Sequence, residues 1–475
     1  MSNLPATWCE ITIDQLGRIT TGNTPSKSDP RNFGTACPWV KPPDLNPQTP
    51  VTDTEEGLSE HGTAFARVLP AGAVLVCCIG SLGKVGLAGV PLATNQQINS
   101  IAFDDRLVEA RYGFYYCQTL TNWLSKNASA TTVSIVNKTT FSKAPFILAP
   151  REEQKRIVAE IEKQLTRLDA SVAALKRVQA NLKRYRASVL KAACEGRLVP
   201  TEAELARRGN TRSSVVHKTS KDALPEGWKW ATLSELSDIQ GGIQKQPSRR
   251  PVKNTYPFLR VANVLRGRLD LHEMHSVELF TGELEKLRLQ KDDLLIVEGN
   301  GSPSQIGRMA IWNGEILNCA HQNHIIRARL TPGALPAYVQ AYWNSPRGSS
   351  TVLEVASSTS GLYTLSVSKV GRIPIPLPPV SEQARIVEEI DRRLSSVEEI
   401  ERETDSDLKK AERLRQSILK RAFEGKLVPQ DPNDEPAAAL LERIRGTAIP
   451  GPSPGGPKTR RSNRPPLIAK ETANA

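Results

Sequence analysis

Mostly apolar side chains recur at steps of three and four residues along two stretches of the chain. Residues 151–194 carry the first series, and the second begins at Ile386. This spacing keeps the side chains on one face of an α-helix. The positions are Ile157, Ile161, Leu165, Leu168, Val172, Leu175, Val178, Leu182, Tyr185 and Val189 in the first series, and Ile386, Ile390, Leu394, Val397, Ile400, Thr404, Leu408, Ala411, Leu414 and Ile418 in the second. The pattern predicts two helices of about 44 residues, each roughly 66 Å long, which pack against each other.

The two predicted helices belong to an internal repeat with an offset of 229 residues. The matched segments are PREEQKRIVAEIEKQL (150–165) with PVSEQARIVEEIDRRL (379–394), EGRLVP (195–200) with EGKLVP (424–429), and LPATWCEITIDQLGRITTG (4–22) with LPEGWKWATLSELSDIQGG (224–242). Gly196 and Gly425 directly follow the helices, where glycine takes up left-handed backbone without strain. The chain is therefore predicted to consist of two halves, each a variable globular region followed by a long helix.

Charge indicates how the two helices pair. The first helix has a basic stretch at 176–186 that contains no acidic residue. Parallel pairing would place it against the lysines and arginines of 405–415, whereas antiparallel pairing places it against the acidic residues of 389–399. Because like charges penalise the wrong orientation, we expect an antiparallel pair. The two globular regions would then lie at opposite ends, related by a pseudo-twofold axis, as two half-sites on duplex DNA are. The alternative is two unrelated helices with solvated faces.

Composition favours a nucleic-acid partner. The chain of 475 residues carries a net charge of +13 and has a pI near 9.4, which suits a polyanion. Its N-terminal sequence lacks the basic and apolar segments of a signal peptide. The longest apolar run, AVLVCCI at 73–79, is too short to cross a bilayer and is typical of a buried strand. Seven cysteines, an odd number, favour a reducing compartment, so we expect a cytoplasmic protein.

Motifs for catalysis or metal binding are weak. GSLGKVG at 80–86 lacks both the spacing and the hydroxyl of a phosphate-binding P-loop. Cys77 and Cys78 are adjacent in an apolar run, which is typical of buried thiols rather than metal ligands. His321 and His324 have no cysteine or acidic cluster nearby in the sequence. We therefore expect neither an enzyme nor a metal site.

The ends of the two helices resemble a known family. P-x-x-EQ-x-RIV-x-x-I opens both helices, and AFEGKLVP ends the second; both are similar to conserved regions of the specificity subunit of type I restriction-modification systems. Shorter likenesses are TGNTPS (21–26), WVKPPDL (39–45), GSLGKVG (80–86) and TNQQI (94–98) in the first half, LRVANV (259–264), GSPSQIG (301–307) and HQN (321–323) in the second, and LVPQDPNDEP with ALLERIRG (427–446) near the C-terminus. The resemblance thus covers about residues 1–446.

This resemblance implies a fold and a domain order. The expected class is α+β, with two mixed α/β target recognition domains separated by two long helices that form an antiparallel coiled coil with pseudo-twofold symmetry. The predicted segments are target recognition domain 1 at 1–149, helical region 1 at 150–200, a linker at 201–223, target recognition domain 2 at 224–378, helical region 2 at 379–429, and a C-terminal segment with a disordered basic tail at 430–475.

The resemblance also implies a function and partners. Such subunits are not catalytic: each recognition domain reads one half of a bipartite double-stranded DNA target, and the helices set the spacer between the halves. They dock two methyltransferase (modification) subunits and, in the full complex, restriction (nuclease-translocase) subunits. S-adenosylmethionine belongs to the methyltransferase partner, so this chain is expected to bind no cofactor itself. The second hypothesis is a coiled-coil interaction scaffold that does not read DNA.

DNA contacts are expected from polar and basic residues in loops between short strands, because base edges are read by such side chains. In the first domain the candidates are Thr24, Ser26, Lys27, Lys41, Ser81, Lys84, Gln96 and Gln97, with Lys138 and Lys143 as phosphate contacts. In the second they are Gln244, Lys245, Arg249, Arg250, Arg260, Ser302, Gln305, Arg308, Gln322, Asn323, Tyr363 and Lys369. For each residue alone, an ordinary surface role is the alternative.

Overall fold

Helices and sheets are mixed in the computed structural model, and the predicted α+β class is confirmed. The residues that the structure describes are 4–129, 133–209, 224–299, 305–356 and 363–447. They form two compact units, unit 1 from residues 1–171 with 410–475 and unit 2 from residues 172–409. The finer domain boundaries stay predictions. Ser302, most of the predicted linker and nearly all of the predicted basic tail lie outside the described residues.

The first half of the chain alternates short strands with helices. Its strands are β1 (Cys9–Thr12), β2 (Gly17–Thr21), β3 (Phe33–Val40), β4 (Gly57–Leu58), β5 (Val74–Cys77), β6 (Val85–Leu87), β7 (Ala93–Thr94), β8 (Ile98–Phe103) and β9 (Pro145–Leu148). Its helices are α1 (Glu60–Thr63), α2 (Ala110–Gln118), α3 (Thr121–Asn127), α4 (Lys138–Ser142), α5 (Arg151–Cys194) and α6 (Glu202–Gly209). The last of these begins the segment that the sequence suggested was a linker.

The second half follows the same plan. Its strands are β10 (Lys229–Thr232), β11 (Ser237–Gly241), β12 (Thr255–Leu259), β13 (His275–Glu278), β14 (Asp293–Val297), β15 (Met309–Trp312), β16 (Ala320–His321), β17 (Ile325–Leu330) and β18 (Pro374–Leu377). Its helices are α7 (Leu233–Leu236), α8 (Glu283–Leu287), α9 (Pro336–Asn344), α10 (Pro346–Ala356), α11 (Val367–Gly371), α12 (Val380–Phe423) and α13 (Ala437–Thr447). Within the described ranges, no helix has the length and apolar character needed to cross a membrane.

The sheets repeat in the same order in both units. Unit 1 has a four-stranded antiparallel sheet β2-β8-β5-β6, a three-stranded sheet β4-β3-β7 and the pair β1-β9. Unit 2 has β11-β17-β14-β15, β13-β12-β16 and β10-β18 in corresponding positions. Strand β5 comes from the apolar run at 73–79 and is buried along its whole length, as is β14. The repeat therefore extends from the helices into the globular regions, where few residues match.

In unit 2, the helices α5 and α12 run antiparallel. The side-chain amide of Gln179 donates a hydrogen bond to Asp405 at 2.7 Å. Farther along α5, the Arg186 guanidinium lies 3.6 Å from a Glu398 oxygen and 3.1 Å from a Glu401 oxygen. As the residue number increases along α5, from 179 to 186, the number of the contacted residue on α12 decreases, from 405 to 401 and 398. The antiparallel orientation predicted from charge is confirmed within this unit.

Unit 1 contains the counterpart of the same ion pair. There, Asp169 on α5 pairs with Arg415 on α12. Asp169 and Glu398 differ by the repeat offset of 229 residues, and so do Arg186 and Arg415. Each unit therefore holds the same acid and base, supplied by opposite helices. The internal repeat therefore extends to the contacts between the two long helices.

The helix interface departs from the predicted apolar series in phase. Leu414 is 51% exposed and Tyr185 is 45% exposed, so neither is buried between the two helices of this chain. A place for Leu414 in an interface with another subunit stays a prediction. Arg415 and Arg186, one residue later, occupy the interface between the two helices instead. The less exposed positions of each helix alternate in steps of three and four residues. This spacing averages 3.5 residues per helical turn, as in a coiled coil, and it selects Arg186 and Arg415 instead of their apolar neighbours. The exposed members of the predicted series are Val178, Tyr185, Ile400 and Leu414, the half-buried ones include Leu168, Val172, Leu175 and Leu408, and the buried ones include Ile157, Ile161, Leu165, Ile386, Ile390, Leu394 and Val397.

The repeated EQ sequence at the start of each long helix holds a globular region in place. The indole N–H of Trp8 donates to the buried Glu153 carboxylate at 2.8 Å, and Trp228 donates to Glu382 at the same distance. The neighbouring Gln154 donates to two backbone carbonyls, and its counterpart in unit 2 does the same. These buried polar groups are thus paired, which explains why the same letters recur in both halves.

The repeated EG-x-LVP sequence allows a close approach at the end of each long helix. Gly196 and Gly425 have φ angles of +65° and +69°. A Cβ on Gly196 would lie 2.5 Å from the Pro225 side chain, and one on Gly425 would lie 2.3 Å from Pro5. Both glycines therefore meet the proline of an LP-x-x-W sequence. Left-handed backbone and lack of space together require glycine at these two positions.

Gly196→Ala is expected to destabilise unit 2 more than Gly227→Ala. Both glycines have positive φ, so alanine costs about 1–2 kcal/mol of backbone strain at either position. Nothing lies within 4 Å of a Cβ on Gly227, whereas Pro225 obstructs one on Gly196, which adds about 1–3 kcal/mol. Thermal unfolding of the two purified variants measures the difference. Equal midpoints would show that the contact with Pro225 does not matter.

Candidate nucleic-acid interface

Three loops of unit 1 lie side by side at one end of the strands of its four-stranded sheet, along the edge formed by the strand ends. Because neighbouring strands are antiparallel, β2 and β5 end at the edge where β8 and β6 begin. The connections at this edge are 22–32, 78–84 and 95–97, which we call the first loop edge. It carries seven of the predicted contact residues, which are Thr24, Ser26, Lys27, Ser81, Lys84, Gln96 and Gln97.

Hydrogen bonds connect these loops to one another. The backbone N–H of Asn23 donates to the Thr94 carbonyl at 2.9 Å, and that of Cys78 donates to the Gln97 carbonyl at 2.8 Å. The Thr24 hydroxyl donates to the side chain of Gln96. Residues that are more than 70 positions apart in the chain therefore share one surface. The sequence predicted the residues, and the sheet topology brings them together.

The lysines of unit 1 differ in how free they are. Lys27 and Lys84 are at least partly exposed on the first loop edge, and Lys138 and Lys143 are exposed at the two ends of α4. Lys41 is engaged, because its ammonium lies 4.9 Å from the Trp39 ring centre and forms an ion pair with Glu56. A phosphate contact by Lys41 would have to compete with these two neighbours.

Unit 2 repeats the arrangement along the edge where β11 and β14 end and β17 and β15 begin. We call the described residues of 242–250, 298–308 and 322–324 the second loop edge. Asn323 donates its N–H to the Ile243 carbonyl at 2.8 Å, and Glu298 donates to the His324 carbonyl at 2.9 Å. The predicted contact residues on it are Gln244, Lys245, Arg249, Arg250, Gln305, Arg308, Gln322 and Asn323, and Arg260 directly follows β12.

Arg249 is held by neighbours within its own domain. Its guanidinium makes hydrogen bonds of 2.7 and 2.8 Å with the two Glu283 oxygens and stacks 4.7 Å from the Phe280 ring centre. The Arg249 pair holds the pKa of Glu283 at about 2, well below its usual range. Lys245 and Arg250, by contrast, are exposed and line a cavity of about 700 Å³ with Arg249. The two exposed residues are the better candidates for contacting an anion.

Tyr363 and Lys369 lie beside the second loop edge. Gly299 forms a bridge with Thr364, which places Tyr363 next to the residues that follow β14. The Lys369 ammonium donates to the carbonyls of Ala356 and Thr364 at 3.4 and 3.2 Å. Lys369 thus connects the end of α10 to the residues that precede α11.

Several buried polar groups lie under the second loop edge. His321 is fully buried, and burial, with Arg327 nearby, lowers the pKa of its imidazole to about 3, so the ring is neutral. The Arg308 guanidinium donates to the Val261 carbonyl at 3.2 Å, and burial lowers the pKa of Arg308 from its usual value. The His321 ring nitrogens, the Asn323 side-chain oxygen and one nitrogen of Arg308 have no hydrogen-bond partner among the described residues. This edge therefore presents more polar groups than its own chain satisfies.

Sequence reasoning missed Glu298 and His324 on the second loop edge. Glu298 directly follows the buried strand β14, and one of its oxygens lies 3.1 Å from Nδ1 of His324. The sequence contains a signal for this position, because Glu298 stands between the apolar run LLIV and the GSPSQIG sequence. Basic and amide side chains attract attention in a DNA-binding protein, whereas a carboxylate does not.

The two edges offer hydrogen-bond donors, acceptors and positive charge. Amide, hydroxyl and guanidinium groups on loops can reach base edges in the major groove, and lysines can contact phosphates. In the part of the chain that the structure describes, no group of three or more His, Cys, Asp or Glu side chains could hold a metal ion. The geometry therefore suits recognition of a nucleic acid.

Comparisons with known proteins agree with this geometry. The family pattern described as type I restriction modification DNA specificity domain matches residues 5–184 and 225–410. The chain is similar to the type I restriction enzyme EcoKI specificity subunit of Escherichia coli K12, with 29% identity over 333 residues and 68% of each chain covered. It is also similar to the EcoBI specificity subunit of Escherichia coli, with 24% identity over 462 residues and 92% of each chain covered.

A solved structure shares the fold. It comes from work on complex assembly and conformational transition of the type I R-M system, and it superposes with a TM-score of 0.59 at 21% identity. The match covers 89% of this chain and 99% of the other. The two segments that match the family pattern make up more than half of the sequence and include both loop edges. The chain belongs to the family of type I restriction-modification DNA specificity subunits.

Proposed function

We propose that the two loop edges read the two halves of a split DNA sequence, one half each. The observation that carries this is the recurrence of one loop edge in both units, on sheets of the same strand order. The polar residues on the two edges differ: Asn95-Gln96-Gln97 precedes β8, whereas Gln322-Asn323-His324 precedes β17. A common scaffold with different donors and acceptors is what two readers of different sequences require.

Phosphate contacts would supply most of the affinity. The candidates are Lys27 and Lys84 on the first loop edge, Lys138 and Lys143 at the ends of α4, and the exposed Lys245 and Arg250 on the second loop edge. Each phosphate neutralised by such a side chain releases a counterion, so binding weakens as salt increases. We expect the affinity for DNA to fall by about a thousandfold between roughly 50 and 200 mM salt if about six phosphates are contacted. The scaffold hypothesis predicts no such dependence.

The chain would act with other subunits of a type I restriction enzyme, as the names of its relatives indicate for them. The finer proposal is that two methyltransferase subunits dock on one chain, one for each repeat, and that restriction subunits join the full complex. The methyl donor, S-adenosylmethionine, would be bound by the methyltransferase. The reciprocal ion pairs Asp169–Arg415 and Glu398–Arg186 support two equivalent docking positions.

The long helices would set the spacer between the two half-sites. Each is a single helix of 44 residues, and each contributes to both units. Reciprocal ion pairs and an alternating three-and-four contact pattern fix the register of the pair. In this proposal, the helix pair would hold the two recognition regions at the distance that a bipartite target needs.

The isolated chain is expected neither to methylate nor to cleave DNA, since its proposed role is recognition alone. Adding the methyltransferase subunit of the same system should produce adenine methylation at one split sequence. Sequencing of methylated bases after incubation with S-adenosylmethionine measures both outcomes. Methylation by the chain alone, or methylation by the complex without any two-part sequence, would contradict the proposal.

A further inference from the structure

Glu298 is the one carboxylate among the described residues of the second loop edge. Its backbone is fixed on both sides, because its N–H donates to His324 at 2.9 Å and its carbonyl accepts from Leu365 at 2.7 Å. Its side chain is 31% exposed, and one of its carboxylate oxygens lies 3.1 Å from Nδ1 of His324. The carboxylate is therefore held at a defined position near solvent.

The first repeat shows that the backbone at this position does not need a carboxylate. Cys78 occupies the equivalent place after β5: its N–H donates to Gln97 and its carbonyl accepts from Val136, both at 2.8 Å. The Cys78 side chain is 1% exposed, and burial raises the pKa of its thiol to about 12, so it is a neutral core group. The same backbone arrangement thus carries a buried thiol, Cys78, in unit 1 and a partly exposed carboxylate, Glu298, in unit 2.

A carboxylate is costly on a surface that binds phosphates. Lys245, Arg250 and Arg308 on the same edge attract the DNA backbone, whereas Glu298 repels it. A carboxylate has only acceptor oxygens, and the groups in the major groove that donate to them are the exocyclic amino groups of cytosine and adenine. Thymine and guanine present acceptors at the corresponding positions, so they would be rejected.

We propose that Glu298 reads one base of the second half-site by accepting a hydrogen bond from an exocyclic amino group, cytosine N4 or adenine N6. His324 would hold the carboxylate from the side opposite the base. This inference rests on the proposed function, because it assumes that the second loop edge faces the major groove. It adds a specificity-determining residue and the chemical group that this residue recognises.

The test uses the complete chain together with its methyltransferase subunit. Methylated sites are mapped for the wild type, Glu298→Ala, Glu298→Gln and the control Asp292→Asn. Asp292 is exposed directly before β14, at the opposite end of the same strand, and asparagine tolerates its positive φ of 74°. We expect Glu298→Ala to relax one base of the second half-site by about tenfold or more. The first half-site and the control variant should keep the wild-type sequence.

A second arm changes the DNA instead of the protein, and it compares the wild type with Glu298→Ala. Synthetic duplexes carry, at the base in question, an analogue of cytosine or adenine that lacks the exocyclic amino group. Methylation is scored at adenines other than the substituted base, because an adenine without its amino group cannot itself accept the methyl group. Loss of methylation with the cytosine analogue then assigns N4, and loss with the adenine analogue assigns N6. Glu298→Ala should be insensitive to the same removal, since it has no acceptor to lose.

The outcomes separate this inference from the proposed function. If the wild-type complex methylates no split sequence, the proposed function fails. If the wild type reads a split sequence and Glu298→Ala reads every base of the second half-site as well as before, the function stands and the role of Glu298 is refuted. Equal sensitivity of the wild type and Glu298→Ala to removal of the amino group would also refute it, because Glu298 would then not be the acceptor of that hydrogen bond.

Discussion

Replacing residues 17–142 with the corresponding stretch of a related specificity subunit is expected to exchange one half of the methylated DNA sequence and leave the other half unchanged. The replaced stretch runs from β2 to α4 and contains the whole first loop edge. It spares Trp8, the pair β1-β9 and helix α5. It also replaces Tyr112 and Tyr116, so the donor stretch must carry aromatic residues there to pack against Phe423 of α12. Several mismatches in the old half-site together cost more than about 3 kcal/mol, so its methylation should fall more than about 100-fold.

The reciprocal exchange in unit 2 is the matched control. Replacement of residues 237–371, from β11 to the end of α11, should change the other half of the sequence and preserve the first. Genome-wide sequencing of methylated adenines identifies both halves in one experiment. If either exchange alters both halves at once, the two edges read DNA jointly and the assignment of one edge to each half-site is wrong.

Deleting four residues from each long helix is expected to shorten the unspecified spacer by one or two base pairs. The contact between Gln179 and Asp405 shows which residues face each other, so the matched deletions are Lys176–Gln179 and Asp405–Leu408. Four residues correspond to about 6 Å of helix, and one base pair rises about 3.4 Å. Both partners of the Gln179 contact are removed together, while Arg186 and Glu401 remain to pair. The two half-site sequences should not change.

A deletion from α5 alone provides the control for this experiment. It shifts the register by about one turn, so Arg186 no longer meets Glu401, and we expect loss of methylation rather than a shorter spacer. The double deletion also turns the DNA groove by roughly 34–36° for each lost base pair, so its rate of methylation should fall several-fold. A double deletion that methylates sites with the original spacer would show that the helices do not set the distance.

The helical part of the fold was predictable because its residues carry repeated roles. Glu153 and Gln154 recur as Glu382 and Gln383, since each pair satisfies the same buried groups at the start of a helix. Gly425 recurs as Gly196 because a proline packs against the place where a side chain would be. Roles fixed by backbone geometry leave the same letters in both copies, and the letters are visible without a structure.

The phase of the helix interface was not predictable from apolar residues alone. Leu414 and Tyr185 fit an apolar series, but Arg415 and Arg186 hold the interface positions because acids on the opposite helix pair with them. A charged residue gives no signal in a hydrophobic pattern, so its place in an interface shows only when its partner is known. The partner lies more than 200 positions away in the sequence.

The candidate site was predictable as a set of residues but not as a surface. Gln96 and Lys84 were recognisable from residue type and loop position, whereas the edge they share depends on the strand order, which the sequence did not specify. Arg249 has the expected chemistry, yet Glu283 and Phe280 already hold it. Glu298 was missed because acids were not sought. In each case the deciding information is a contact between distant parts of the chain.

The division of unit 1 into two chain segments has a consequence for synthesis. Phe423 packs its ring 5.2 Å from that of Tyr112 and 5.0 Å from that of Tyr116, and Leu440 and Ile444 are buried in the same core. At roughly 5–20 residues per second, the ribosome needs on the order of 15–60 s after making the first domain to supply these side chains. Unit 2 is one continuous segment and can complete its core sooner. The first domain to be translated is therefore the last to close, and during that interval its uncovered aromatic face is the part of the nascent chain most exposed to misfolding.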